Sequence, residues 1–153
     1  MKKTTLIILG TLAAIAAGAF PAMTGAHGGS FAMAMKNPLH VKGSASVTIV
    51  HVQKGCHSWT TGQGAPATGV EAVLKPGQRL TVVNQDLDAH RLARLAGPKI
   101  ALGPVLEMND RVTVTFKTAG VYKLHLHQVE MEGMPEVETI GPDHFLAMVI
   151  VVR

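Results

Sequence analysis

The chain has 153 residues, one cysteine, and 14 Lys and Arg against 10 Asp and Glu, for a formal net charge of +4. So small a surplus, with no run of like charges, excludes a nucleic-acid binder held by a basic face. A lone cysteine excludes an internal disulfide framework.

The first residues read as a secretory signal. Lys2 and Lys3 charge the start, and residues 6–15 form an apolar stretch too short to span a bilayer. Two small-residue cleavage sites follow, Ala17-Gly18-Ala19 and Thr24-Gly25-Ala26. Cleavage after Ala26 removes Lys2 and Lys3 and no acid, so the formal charge falls from +4 to +2. The remainder suits one domain with a real core and not two. The expected organisation is a signal peptide over residues 1–26, a flexible leader over 27–44 and one domain over 45–153. The expected location is secreted or periplasmic.

Residues 27–44 are rich in Gly, Ser and Met and show no clear period. Strand signals begin at Ala45. The run 47–52 is β-branched and apolar, the pattern of a strand buried on both faces. Residues 55–69 read as a long loop broken by Gly62, Gly64 and Pro66. A strand over 70–74 leads into the turn Lys75-Pro76-Gly77, and another covers 79–84. Residues 91–110 hold only short apolar pieces around two Gly-Pro pairs. Over 111–116, Val112, Val114 and Phe116 share one face. After a turn, Tyr122, Leu124 and Leu126 face one way and Lys123, His125 and His127 the other. A loop over 128–143 precedes an apolar closing strand at 145–152. With no capped helical period, the prediction is an all-β, antiparallel Greek-key sandwich with Val47, Val82, Val114, Leu124 and Val151 in its core.

Two motifs carry a family resemblance. One is Asn84-Gln85-Asp86-Leu87-Asp88-Ala89-His90, a strand ending in Asn-x-Asp and then a loop histidine. The other is Gly120-Val121-Tyr122-Lys123-Leu124-His125-Leu126. Together they resemble the cupredoxins, the small copper-binding β-sandwiches. The resemblance implies that His90 is a copper ligand. It also places the copper cysteine four residues after the tyrosine, where this chain has Leu126. The usual ligand of a blue-copper centre is therefore replaced, and outer-sphere electron transfer through a His2Cys site is not expected.

Other donors are available to stand in. The resemblance puts the Gly55-Cys56-His57-Ser58-Trp59 loop at the His90 end, so Cys56 and His57 are candidate ligands. Thiolate and imidazole suit copper, Cu(I) above all. Cys56 reads equally well as a buried, inert thiol. In Glu130-Met131-Glu132-Gly133-Met134, the thioethers of Met131 and Met134 are candidate Cu(I) donors or gap-fillers at the sandwich end. His144 and Met148 have the His-x3-Met spacing of the last two blue-copper ligands, although Met148 sits in an apolar strand. His125 and His127 read as surface residues. The implied cofactor is copper, with Cu(I) favoured, and Trp59 would shield the site from water.

Three functions follow. The leading one is an exported copper protein for storage, delivery or resistance, with a membrane or periplasmic copper protein as partner. The others are an electron carrier with an atypical copper site, and a metal-free interaction module. No nucleophile-base pair, phosphate loop or paired carboxylate marks an enzyme. A copper-chelating terminal His27 is the one oxidase-like feature.

Overall fold

The computed structural model describes residues 31–52, 56–129 and 145–153, without the side chains of Cys56 and Gln128. Among the described residues nine strands follow in order: β1 (Leu39–Lys42), β2 (Ala45–Val52), β3 (Cys56–Thr60), β4 (Gly69–Leu74), β5 (Arg79–Asn84), β6 (His90–Ala96), β7 (Arg111–Thr115), β8 (Gly120–Gln128) and β9 (Ala147–Val152). They form two sheets, one ordered β1-β4-β9-β8-β6 and the other β3-β2-β5-β7. The expected all-β sandwich is what the chain makes.

The sheets are mixed and not purely antiparallel. β1–β4, β2–β5 and β4–β9 pair in parallel, while β2–β3, β5–β7, β6–β8 and β8–β9 are antiparallel. Consecutive strands often switch sheets, so a strand meets a partner distant in sequence. Period-2 alternation reports which face is buried and carries no information about pairing direction.

The core lies between the sheets. Val47, Ile49, Trp59, Val82, Phe116, Leu124, Met148 and Ile150 have essentially no exposure. Each fully buried aliphatic or aromatic side chain contributes roughly 1.5–3 kcal/mol. The inward rows of β7 and β8 are those the alternation predicts, with Val114, Phe116, Tyr122, Leu124 and Leu126 buried. Tyr122 packs edge-on to Phe116, centroids 5.1 Å apart, and its hydroxyl donates to Thr118 O at 2.7 Å. Val151 is half-buried, because the inward row of β9 is Met148, Ile150 and Val152. Its expected place in the core is thus one residue out of phase.

Residues 31–44 are not a flexible leader. Residues 31–34 form a helical turn, and β1 pairs with β4. Phe31 and Ala34 are buried against Ala147, with Phe145, Leu95 and Val149 around them, on the outer face of the five-stranded sheet. Gly69 permits this: a Cβ there would stand 2.5 Å from Ala34 O. One turn and a four-residue strand are too short to show a period, so the sequence hides them. The long loop expected at 55–69 likewise contains β3, held as a hairpin against β2.

Candidate metal centre

The inward row of β2 runs Val47, Ile49, His51. Its last member reaches the rim of the sandwich, where the His51 side chain is 43% exposed. Antiparallel pairing sets His51 opposite His57 of β3. His57 is buried, two residues from the fully buried Trp59. From the other sheet, β6 begins at His90. Its main chain pairs with Gln128 of β8 and exchanges hydrogen bonds of 3.0 and 2.7 Å with Leu106. The His57 and His90 rings meet edge-on with centroids 5.0 Å apart, and those of His51 and His57 with centroids 5.7 Å apart.

Asp86 stands among these rings because Asn84 shapes the loop that carries it. The buried Asn84 amide donates to Asp88 O at 2.8 Å and to Leu106 O at 3.0 Å. Its side-chain oxygen accepts the Asp86 N–H at 2.9 Å, an Asx turn. The Asp86 carboxylate is then turned inward with no exposure. Its Oδ1 accepts the Asp88 N–H at 3.3 Å and lies 3.4 Å from His51 Nδ1. Its Oδ2 is hydrogen-bonded to His57 Nδ1 and lies 3.4 Å from His90 Nε2. Three imidazoles, from three strands and both sheets, converge on one carboxylate. Asp88 adds a half-exposed carboxylate 3.7 Å from His57 Nε2.

The electrostatics follow from burial. Desolvation is the largest influence on Asp86 and raises its pKa. The hydrogen bond and charge of His57, the Asp88 N–H and the charge of His90 together outweigh it and hold the carboxyl below its ordinary value. For His90, burial is again largest and lowers the pKa, and the charge of His57 lowers it further. Attraction to Asp86 and Asp88 opposes the shift without reversing it. His90 is therefore held neutral more readily than a free histidine, the form that binds metals.

One donor atom each from His51, His57 and Asp86 lie within 4.8 Å of one another. A small side-chain adjustment closes such a set onto an ion with bonds of about 2.0–2.2 Å. Imidazole with carboxylate suits Cu(II), Ni(II) or Zn(II), and imidazole alone also serves Cu(I). The residues fit a copper ion.

Of the residues the sequence singled out, His90 and His57 come together here. The main chain of Cys56 lies at the same end, next to His57 and paired with Val52. Met131, Met134 and His144 lie outside the described residues, as does the side chain of Cys56. Met148 is core. Leu126 is buried and pairs with Leu92 of β6, two residues along from His90. On the opposite face of β8, His125 stacks on Phe145 at 5.3 Å. Sequence reasoning did not single out His51 or Asp86, both members of this cluster. The signal for His51 was present: Val47, Ile49 and His51 alternate, which puts an imidazole at the end of a core row. For Asp86 the sequence offers only its place in the Asn-x-Asp motif, and Asn84's hydrogen bonds are what reveal that it is turned inward.

No family model matches the chain, and no curated protein matches it. The fold is a β-sandwich of two mixed sheets. Solved structures to which it is similar include a purple cupredoxin from Nitrosopumilus maritimus, at 17% identity and a TM-score of 0.43, covering 72% of this chain and all of that one. A reduced amicyanin variant matches at 20% identity and a TM-score of 0.41, covering 72% and 83%. The Cu(I) form of another amicyanin variant matches at 20% and 0.42, covering 72% and 82%.

Proposed function

We propose that this is an exported copper-binding protein that stores or delivers the ion. The observation that carries the reading is the convergence of His51, His57 and His90 on the Asp86 carboxylate. A surface histidine cluster without a ligand would have little reason to bury a carboxylate and two imidazoles together, since each burial costs free energy unless it is paired. In this reading His57 and His90 are the principal ligands, with His51 and Asp86 completing the set. Imidazole serves both oxidation states, so selection of Cu(I) rests on sulfur from Cys56 and from Met131 or Met134. His144 is a further donor to be tested. Residues 1–26 direct export, and a membrane or periplasmic copper protein is the partner that delivery requires. The reading assigns no catalytic role.

Storage is preferred over electron transfer because a leucine stands at position 126, where the resemblance calls for a thiolate. The test is metal content of the mature chain after dialysis, with a visible spectrum before and after a reductant. One retained copper per chain without an intense visible band supports the reading. An intense band lost on reduction and in Cys56→Ser moves the electron carrier ahead. No retained copper leaves a metal-free module.

A further inference from the structure

The four donors of the site are not equivalent. His57, His90 and Asp86 form a wall with side-chain exposures of 4%, 2% and 0%. Each is held from behind. His57 is hydrogen-bonded to Asp86, Asp86 sits in the turn that Asn84 fixes, and the main chain of His90 is bonded to both β8 and Leu106. His51 differs on both counts. Its side chain is 43% exposed. It also lies beyond the last residue of β2 that pairs with β5, because that register ends at Ile49 opposite Asn84. Among the described residues, its strand is thus paired at this point with β3 and not with β5. It meets the wall through the 3.4 Å approach of Nδ1 to Asp86 Oδ1 and the edge-on contact of its ring with that of His57, centroids 5.7 Å apart.

Metals leave such sites by ligand exchange. An incoming donor must reach the ion, and one resident ligand must let go. A ligand buried behind the ion offers no path for either event. A ligand at the rim offers both, because rotating its side chain outward opens the ion to solvent without disturbing the core. We infer that His51 is the exchange ligand: copper enters and leaves past it, and an acceptor's imidazole or thiolate takes its place during hand-over, while His57, His90 and Asp86 retain the ion. This rests on the copper reading above and adds direction to it. The half-exposed Asp88 carboxylate, 3.7 Å from His57 Nε2, gives an arriving cation a first electrostatic hold.

The test is transfer of copper from the loaded mature protein to a small chelator, EDTA for Cu(II) and bicinchoninate for Cu(I), followed by stopped flow. In the native chain the rate should rise with chelator concentration, because exchange is associative. His51→Ala should still bind one copper and surrender it about tenfold faster or more, the scale on which even outer partners of a metal site change affinity. His57→Ala and His90→Ala should fail to hold copper through desalting. Should His51→Ala not fold, His51→Gln carries the same comparison. Unchanged transfer in the His51 variant overturns the inference, as does loss of binding equal to that of His57→Ala. A native chain that binds no copper at all overturns the copper reading itself, a different result.

Discussion

Asn84 and Asp86 show how two residues set up a site neither could make alone. Asn84 spends its hydrogen bonds on main-chain atoms of Asp86, Asp88 and Leu106, and the result is a carboxylate facing inward among imidazoles. Asp86→Asn keeps the shape and removes the charge. Copper affinity should fall about 10- to 100-fold while the circular dichroism spectrum is unchanged, and equal affinity would reduce Asp86 to a packing role. Acid stability of the metal-free protein reports on the same residues. The folded-state pKa of His90 is below its ordinary value, so as pH falls the unfolded chain takes up that proton first. Stability from His90 is whole above about pH 6.5 and is lost as pH falls from there towards the lowered value. Asp86 is also lowered, so its contribution is whole above about pH 3.9 and is lost below it. Denaturant titrations between pH 8 and pH 3 should show stability declining in these two windows. His90→Gln should remove the upper decline, and stability that rises on acidification from pH 7 to 5 would contradict the assignment.

At the scale of elements, legibility followed length and alternation. β7 and β8 were readable because Val112, Val114, Phe116, Tyr122, Leu124 and Leu126 mark their inward rows without interruption. β1 and the helical turn at 31–34 were not, since four residues cannot display a period and their burial depends on what they land on. β3 was masked by the glycines after it, and its pairing with β2 is what turns His57 towards His51. The parallel pairings are a property of strands distant in sequence, which no local pattern encodes. The seating of the helical turn makes its own prediction. Gly69→Ala would drive a methyl into Ala34 O and Met35 Sδ. The turn must shift, and denaturation should show a loss of roughly 1–3 kcal/mol. An unchanged midpoint would mean that the turn is not seated on β4.

Across the whole molecule, the site joins the two sheets. His51 and His57 come from the four-stranded sheet and His90 from the five-stranded one, so ligation should tie the sheets together. Copper should therefore raise the melting temperature of the native chain and leave that of the His57→Ala, His90→Ala double variant unmoved. A rise in both would place the ion elsewhere. The family motif singles out His90 from sequence alone and the Cys56-to-Trp59 segment singles out His57, and the fold brings their rings within 5.0 Å, centroid to centroid. His51 and Asp86 join the cluster only through the strand register, which brings β2 and the Asn84 turn to the same end. Each of these copper-dependent outcomes requires that copper bind at this imidazole cluster. X-ray absorption of the copper-loaded mature protein tests it most directly. At least two imidazole nitrogens at about 2.0 Å from the metal, absent in the His57→Ala, His90→Ala variant, are predicted. A copper shell with no imidazole scattering, or one untouched by that double substitution, would contradict it.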